Sequence, residues 1–90
     1  MIRKRITFSG HVQGVGFRWR AKKAAEIYGI TGWVRNNWDG TVTIEAQGSE
    51  EQIDQVLVAI QRGMYIRIDH IESRTIPANP DEKEFLTVYD

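Results

Sequence analysis

Hydrophobic and polar residues recur with two different periods along the chain, and these periods predict its secondary structure. Alternation with a period of two predicts β-strands at residues 3–9, 32–36, 41–47, 66–76 and 84–89. Apolar residues three and four positions apart predict helices at residues 17–28 and 50–62. The resulting order is β-α-β-β-α-β plus a short final strand. This order is typical of an α+β protein with the ferredoxin-like α/β sandwich, in which two helices cover one face of an antiparallel sheet.

Local signals support this order of elements. Ser49 and Gln52 form a capping box at the start of the second helix. Asp39-Gly40 is a strong turn signal between the second and third strands, which therefore pair as a hairpin. In the fourth strand the apolar positions change phase, which predicts a β-bulge near residues 69–70. The final strand follows a loop with two prolines and is predicted to lie at an edge of the sheet.

Length and composition place the chain among ordinary globular proteins. Its ninety residues, of which 41% are hydrophobic and 27% charged, lead us to expect a single domain over residues 1–90. The chain has no cysteine, no apolar run long enough to span a membrane and no signal-peptide pattern. We therefore expect a cytoplasmic, free-standing monomer that does not bind membranes.

The aromatic and basic side chains near the first helix are predicted to divide between core and surface. Phe17 and Trp33 are predicted to lie in the core. Trp38, beside the hairpin turn, is predicted to be exposed, and a place in the wall of the site is the alternative. Trp19 is expected on the side of the helix opposite its apolar stripe, and Lys22 on a solvated helix face.

A glycine-rich loop between the first strand and the first helix is predicted to bind an anion. Gly10, Gly14 and Gly16 lie within seven residues, and Arg18 follows two places later. Backbone N–H groups in such a loop converge with the helix N-terminus on one point, and an arginine can bind the same anion bidentately. Residues 1–35 also contain eight basic side chains and one acidic side chain, although the net charge of the chain is zero. A phosphate-sized anion is the expected ligand.

Several other kinds of site are disfavoured. The loop lacks the glycine-lysine pair of a P-loop, and Trp19 replaces the third glycine of a dinucleotide-binding motif. The third strand exposes threonine, glutamate and glutamine instead of the aromatic residues of an RNA-recognition domain, so no nucleic-acid partner is expected. His11 and His70 do not have metal-ligand spacing, and we expect no metal or other cofactor.

A second candidate site residue lies at the end of the second strand. In the predicted topology the first and second strands run in the same direction, so their C-terminal ends meet at one edge of the sheet. Asn36 is therefore expected near the glycine loop and Arg18. The residues alone leave two interpretations open, since Asn36 is either a simple turn residue or a part of the anion site.

These two segments carry a resemblance to a known family. Their patterns are Gly10-x-Val12-Gln13-Gly14-Val15-x-Phe17-Arg18 and Gly32-Trp33-Val34-Arg35-Asn36-x-x-Asp39-Gly40. With the length and the order of elements, they closely resemble the acylphosphatase family over nearly the whole chain. The resemblance implies an enzyme that hydrolyses the carboxyl–phosphate bond of small-molecule acylphosphates to a carboxylate and inorganic phosphate.

The resemblance also implies roles for individual residues. Arg18 and Asn36 are the implied catalytic residues, because in the family the arginine binds the phosphate and the asparagine positions the attacking water. The implied phosphate-binding residues are those of the loop and the first helical turn, namely His11, Val12, Gln13, Gly14, Val15, Gly16, Phe17 and Arg18. The leaving carboxylate needs no protonation, so the implied reaction requires no general acid and no metal.

Two alternative functions remain open at this point. The first is a non-catalytic module of the same fold that binds phosphate or another anion. The second is a fragment of a larger carbamoyl-phosphate-handling protein whose first domain resembles this chain.

Overall fold

A computed structural model describes residues 1–89 of the chain. These residues form two helices, α1 (Phe17–Tyr28) and α2 (Glu50–Gln61), and five strands, β1 (Ile2–His11), β2 (Thr31–Asn36), β3 (Val42–Gly48), β4 (Arg67–Ile76) and β5 (Phe85–Val88). The order confirms the predicted β-α-β-β-α-β arrangement with a short final strand. Neither helix in the described part of the chain has the length and apolar character needed to cross a bilayer.

The five strands form one sheet in the order β4-β1-β3-β2-β5. The first four strands pair antiparallel, as predicted, and the final strand lies at an edge, also as predicted. However, β5 pairs parallel with β2, from Gly32 opposite Phe85 to Arg35 opposite Val88, so the sheet as a whole is mixed. The reason is the path of residues 77–84, which carry the chain from one edge of the sheet to the other along a single end, so that β5 runs opposite to β4.

Alternate side chains of the strands face the two helices and form the core. Phe8 of β1 and Phe17 of α1 are both buried, and their rings meet edge to face with centroids 5.0 Å apart. Burying each ring contributes roughly 1.5–3 kcal/mol of stability. Helix α1 packs through small buried residues, Ala21, Ala24 and Ala25, which let it approach the sheet closely. Phe17 is therefore in the core, as predicted.

Trp33 does not lie in the core, and that prediction is wrong. Gly32 and Val34 are the residues of β2 that face the helices, so Trp33 between them faces the other side of the sheet. There its ring is half-buried between two guanidinium groups, with Arg5 5.7 Å and Arg35 5.1 Å from the centroid. The pattern misled because the adjacent inward position is a glycine.

A predicted bulge in β4 is confirmed at the place where β1 ends. The register passes from Ser9 opposite His70 to Gly10 opposite Ile68, so Asp69 is an extra residue. Gly10 has φ 129°, and a β-carbon there would lie 2.3 Å from a backbone oxygen of β4. Only glycine fits this approach, which begins the turn into the glycine-rich loop.

A cluster of charged and amide groups fixes the segment before β5. Arg3 is only 5% exposed and donates hydrogen bonds to the carboxylates of Glu45 and Glu82. Gln47 on β3 exchanges two hydrogen bonds with the backbone of Asn79, at 2.8 and 2.7 Å. The bonds to Glu82 and Glu45 raise the pKa of Arg3 above its ordinary value. These contacts hold residues 77–84 across the sheet and so place β5 beside β2.

Candidate active site

The loop between β1 and α1 leaves the first amide groups of the helix free. Gly14 and Gly16 have φ angles of 73° and 79°, in the left-handed region. A β-carbon at either position would meet nothing within 4 Å, so the conformation and not the available space requires glycine. Gly16 caps the helix without a side-chain hydrogen bond, and the first intrahelical bond is donated by Arg20 to Gly16 at 3.0 Å. The N–H groups of residues 17–19 therefore have no helical partner.

The N-terminus of α2 shows the opposite arrangement. Ser49 and Gln52 form the predicted capping box, and Glu50 and Glu51 place negative charge in the first turn. Helix α1 has no acidic residue in its first turn and no capping side chain. The free N–H groups of α1 and the positive end of its dipole are therefore available to bind an anion at the N-terminus of the helix.

Arg18 is the second residue of α1 and lies at this same end of the helix. Its guanidinium carbon is 5.0 Å from the centroid of the Tyr89 ring, near the end of the chain. None of the ion pairs among residues 1–89 includes Arg18. Its charge is therefore available to an anionic ligand.

Asn36 is the last residue of β2, and its side chain contains an unusual atom. The Oδ1 oxygen is buried and has no hydrogen-bond partner among the described residues, the only such side-chain atom found there. A buried acceptor without a partner costs roughly 1–3 kcal/mol. Such a cost is typical of an atom that serves a bound molecule and not the fold.

Gln13 connects the glycine-rich loop to the β2–β3 hairpin. Its Nε2 donates to the backbone oxygens of Asn37 and Thr41, at 2.7 and 2.9 Å. The Asn37 side chain in turn donates to the hydroxyls of Thr41 and Thr43. The loop and the strand end that carries Asn36 are therefore held together by side-chain hydrogen bonds. No pattern in the sequence indicated this role for Gln13.

One open cleft of about 570 Å³ brings most of the predicted residues together. Its lining includes Val12, Gly14, Gly16, Phe17, Arg18 and Asn36 from the predicted set. The other three predicted residues lie outside it. His11 is exposed and paired in register with β4, Gln13 is turned to the hairpin, and Val15 packs against the core. Trp38, 97% exposed, is also outside the lining.

The rest of the cleft wall comes from residues that sequence reasoning assigned no part in the site. These are Trp19, Lys22, Leu86, Thr87 and Tyr89. Three of them belong to the end of the chain, and the parallel pairing of β5 with β2 brings them beside Asn36. The four-residue spacing of Arg18 and Lys22 on one helix was the available signal for Lys22.

The cleft is positively charged. Arg18 and Lys22 are its two charged lining residues, and no carboxylate or histidine within residues 1–89 lines it. The described residues also contain no cluster of histidine, aspartate or glutamate with the geometry of a metal site.

Comparison with known proteins identifies the family. A family model described as Acylphosphatase matches residues 4–87. An acylphosphatase of Clostridium acetobutylicum is 43% identical over 90 residues, and the match covers 99% of each chain. The chain belongs to the acylphosphatase family. Family membership confirms the predicted resemblance and the prediction of a hydrolase that acts on acylphosphates.

Solved structures agree with this acylphosphatase assignment. The crystal structure of acylphosphatase from Bacillus subtilis matches with a TM-score of 0.90 and 32% identity, over 99% of this chain and 100% of that one. Full-length HypF in its phosphate- and nucleotide-bound form matches with a TM-score of 0.87 and 32% identity, over 98% of this chain but 12% of HypF. The acylphosphatase fold therefore also occurs as a small part of a much longer protein.

Proposed function

We propose that this acylphosphatase hydrolyses acylphosphates with Arg18 and Asn36 as its catalytic residues and without a metal. The observation that carries the proposal is the unpartnered, buried Oδ1 of Asn36, in the same cleft as Arg18 and the free N-terminus of α1. One half of this arrangement suits a phosphate group and the other half suits a water molecule.

The phosphoryl group binds at the loop and the start of α1. Free backbone N–H groups, the helix dipole and the guanidinium of Arg18 all favour negative charge at that point. The sequence-based set of phosphate-binding residues began at His11. Because His11 lies in the β1–β4 ladder, we assign phosphate binding to the segment from Val12 to Arg18.

Asn36 positions the attacking water. Its Oδ1 accepts a hydrogen bond from the water, which leaves a lone pair of the water oxygen free to attack phosphorus. The P–O bond to the carboxylate breaks, and the carboxylate leaves with that bonding pair. One proton of the water stays on the oxygen that becomes part of the phosphate, and the other passes to another phosphate oxygen or to solvent.

The reaction needs little besides positioning and charge. Phosphoryl transfer passes through a loose transition state with negative charge on the phosphoryl oxygens. The amide groups and Arg18 are already oriented toward that charge, so they do not reorganise during the reaction. A carboxylate is a good leaving group without protonation, which is consistent with the absence of an acid or histidine among the described residues of the cleft wall.

The proposal also includes the setting in which the enzyme works. We assign a single domain to residues 1–90 and a monomer in the cytoplasm, with no nucleic-acid partner. The sequence has no cysteine and therefore no disulfide, as is usual for cytoplasmic proteins.

Phosphate release from benzoyl phosphate tests the proposal. Activity should persist in the presence of EDTA. Arg18→Ala should weaken both phosphate inhibition and turnover. Asn36→Ala should lower kcat roughly 100-fold to 1,000-fold, as loss of a preorganised group does elsewhere, with phosphate inhibition nearly unchanged.

Two results would count against the proposal. A strict metal requirement would overturn the metal-free mechanism, and normal turnover in either variant would remove the role given to that residue. Gln55→Ala, on an exposed part of α2 away from the cleft, is a control that should behave like the unmodified enzyme.

A further inference from the structure

Lys22 gives the cleft a second cation that phosphate binding leaves unused. Lys22 lies between the cleft and a neighbouring recess that contains Glu26 and Phe85. Its Nζ donates to the backbone oxygen of Phe85 at 2.9 Å and lies 3.7 Å from a carboxylate oxygen of Glu26. An ammonium group has three donors, so the bond to Phe85 leaves two of them free. The pair with Glu26 is long and solvent-exposed on both sides, and pairs of that kind neutralise little charge.

The position of Lys22 follows from its spacing on α1. It lies four residues after Arg18, hence on the same side of the helix and about 6 Å farther along the axis. Arg18 and the free N–H groups account for the phosphoryl group. Lys22 therefore lies beside the part of the substrate that extends away from the phosphate.

The cleft has room for that part of the substrate. Its volume of about 570 Å³ is several times what a phosphate group fills. The cleft wall that contains Lys22 also contains Trp19, which is 65% exposed, Leu86, which is 48% exposed, and Tyr89. An acyl chain can pack against these apolar surfaces while an anionic end meets the ammonium.

We propose that Lys22 is a specificity residue that favours acylphosphates whose acyl chain carries a second anionic group. The proposal rests on the proposed function of the same cleft, and it concerns only which acyl group is preferred. Lys22 takes no part in bond breaking.

Two substrates of equal chain length test the proposal. Glutaryl phosphate and pentanoyl phosphate both have five carbons, but one ends in a carboxylate and the other in a methyl group. The quantity to measure is the ratio of kcat/KM for glutaryl phosphate to that for pentanoyl phosphate. Spontaneous hydrolysis of each compound is subtracted.

Three variants separate charge from structure. Lys22→Met should lower the ratio roughly threefold, as expected for the loss of one partly exposed ion pair. Lys22→Arg keeps the charge and should keep most of the preference. Arg74→Met removes one positive charge from an exposed position on β4, away from the cleft, and should leave the ratio unchanged.

The pentanoyl substrate serves as an internal control. Loss of the bond to Phe85 could also disturb β5. Such a disturbance would change kcat/KM for both substrates alike, so by itself it would not alter their ratio. A ratio equal in the unmodified enzyme and in Lys22→Met would overturn the specificity proposal while leaving the proposed function intact. Failure of the unmodified enzyme to hydrolyse either compound would instead contradict the proposed function.

Discussion

Replacement of Gln13 by leucine tests whether the two halves of the site depend on each other. The change removes two hydrogen bonds, to the backbone oxygens of Asn37 and Thr41. Each of those oxygens keeps another donor, the amide of Gly40 at 3.2 Å and the amide of Asn37 at 2.8 Å respectively. Neither oxygen is left without a partner, so the free energy of unfolding should fall by about 1–2 kcal/mol. For a chain of this size, that loss lowers Tm by roughly 5–15 °C.

The same change should affect turnover more than phosphate binding. Without the hydrogen bonds of Gln13, the hairpin that carries Asn36 moves relative to the glycine-rich loop, while the backbone of the loop and Arg18 keep their own geometry. Misplacement of a positioned group costs roughly tenfold to 100-fold in rate. We therefore expect a lower kcat for benzoyl phosphate and a nearly constant inhibition constant for inorganic phosphate, both measured well below the variant's Tm.

A matched control distinguishes positioning from a general loss of stability. Gln52→Leu also removes a pair of side-chain hydrogen bonds to backbone groups, those with the amide of Ser49 at 2.9 Å and the oxygen of Tyr28 at 3.0 Å, but outside the cleft. It should lower Tm and leave kcat unchanged. Equal losses of kcat in the two variants, or an unchanged kcat in Gln13→Leu, would refute the reasoning.

Three further changes probe the cleft and its supports. Tyr89→Leu removes the ring beside Arg18 and with it a cation–π interaction worth about 0.5–1 kcal/mol. The inhibition constant for phosphate should therefore rise roughly twofold to fivefold. An unchanged constant would show that the ring does not position Arg18. Gly14→Ala places a β-carbon at φ 73° and should lower the free energy of unfolding by about 1–2 kcal/mol in urea titrations, and an unchanged midpoint would contradict the need for a left-handed residue. Hydrogen bonds from the hydroxyl and amide of Thr41 hold the pKa of Asp39 below its ordinary value of 3.8. The stability that this lowered pKa provides is present above pH 3.8 and is lost as pH falls through the lower folded-state pKa. The difference in unfolding free energy between the unmodified chain and Asp39→Ala should therefore shrink in acid. A difference that stays constant with pH would argue against the effect.

The parts of the fold that could be predicted are those encoded by neighbouring residues. The capping box of Ser49 and Gln52 is a contact over three positions, and the bulge at Asp69 appears as a change of phase within one strand. The meeting of Asn36 with Arg18 also follows from local signals, because the order of elements fixes which strand ends share an edge. These features required no knowledge of distant contacts.

The parts that were missed depend on distant contacts. The register of β2 against β3 decides whether Trp33 faces the helices or the other side of the sheet. The sequence pattern could not decide this, because Trp33 and Val34 are both hydrophobic and lie on opposite faces of β2. The cleft wall around Tyr89 depends on the parallel pairing of β5 with β2. That pairing in turn depends on the cluster around Arg3, which lies at the other end of the sheet and holds the segment before β5. Alternation within β5 carries no information about its partner or its direction.

The closeness of Tyr89 to Arg18 has a practical consequence for any protein fused to this chain. Tyr89 lines the cleft beside Arg18, so a polypeptide attached at the C-terminal end begins close to the place where substrate enters. A polypeptide joined before Met1 emerges at the opposite end of β1, which at ten residues is about 30 Å long. Purification tags and reporter domains should thus be attached at the N-terminus, where they do not obstruct the entry of substrate.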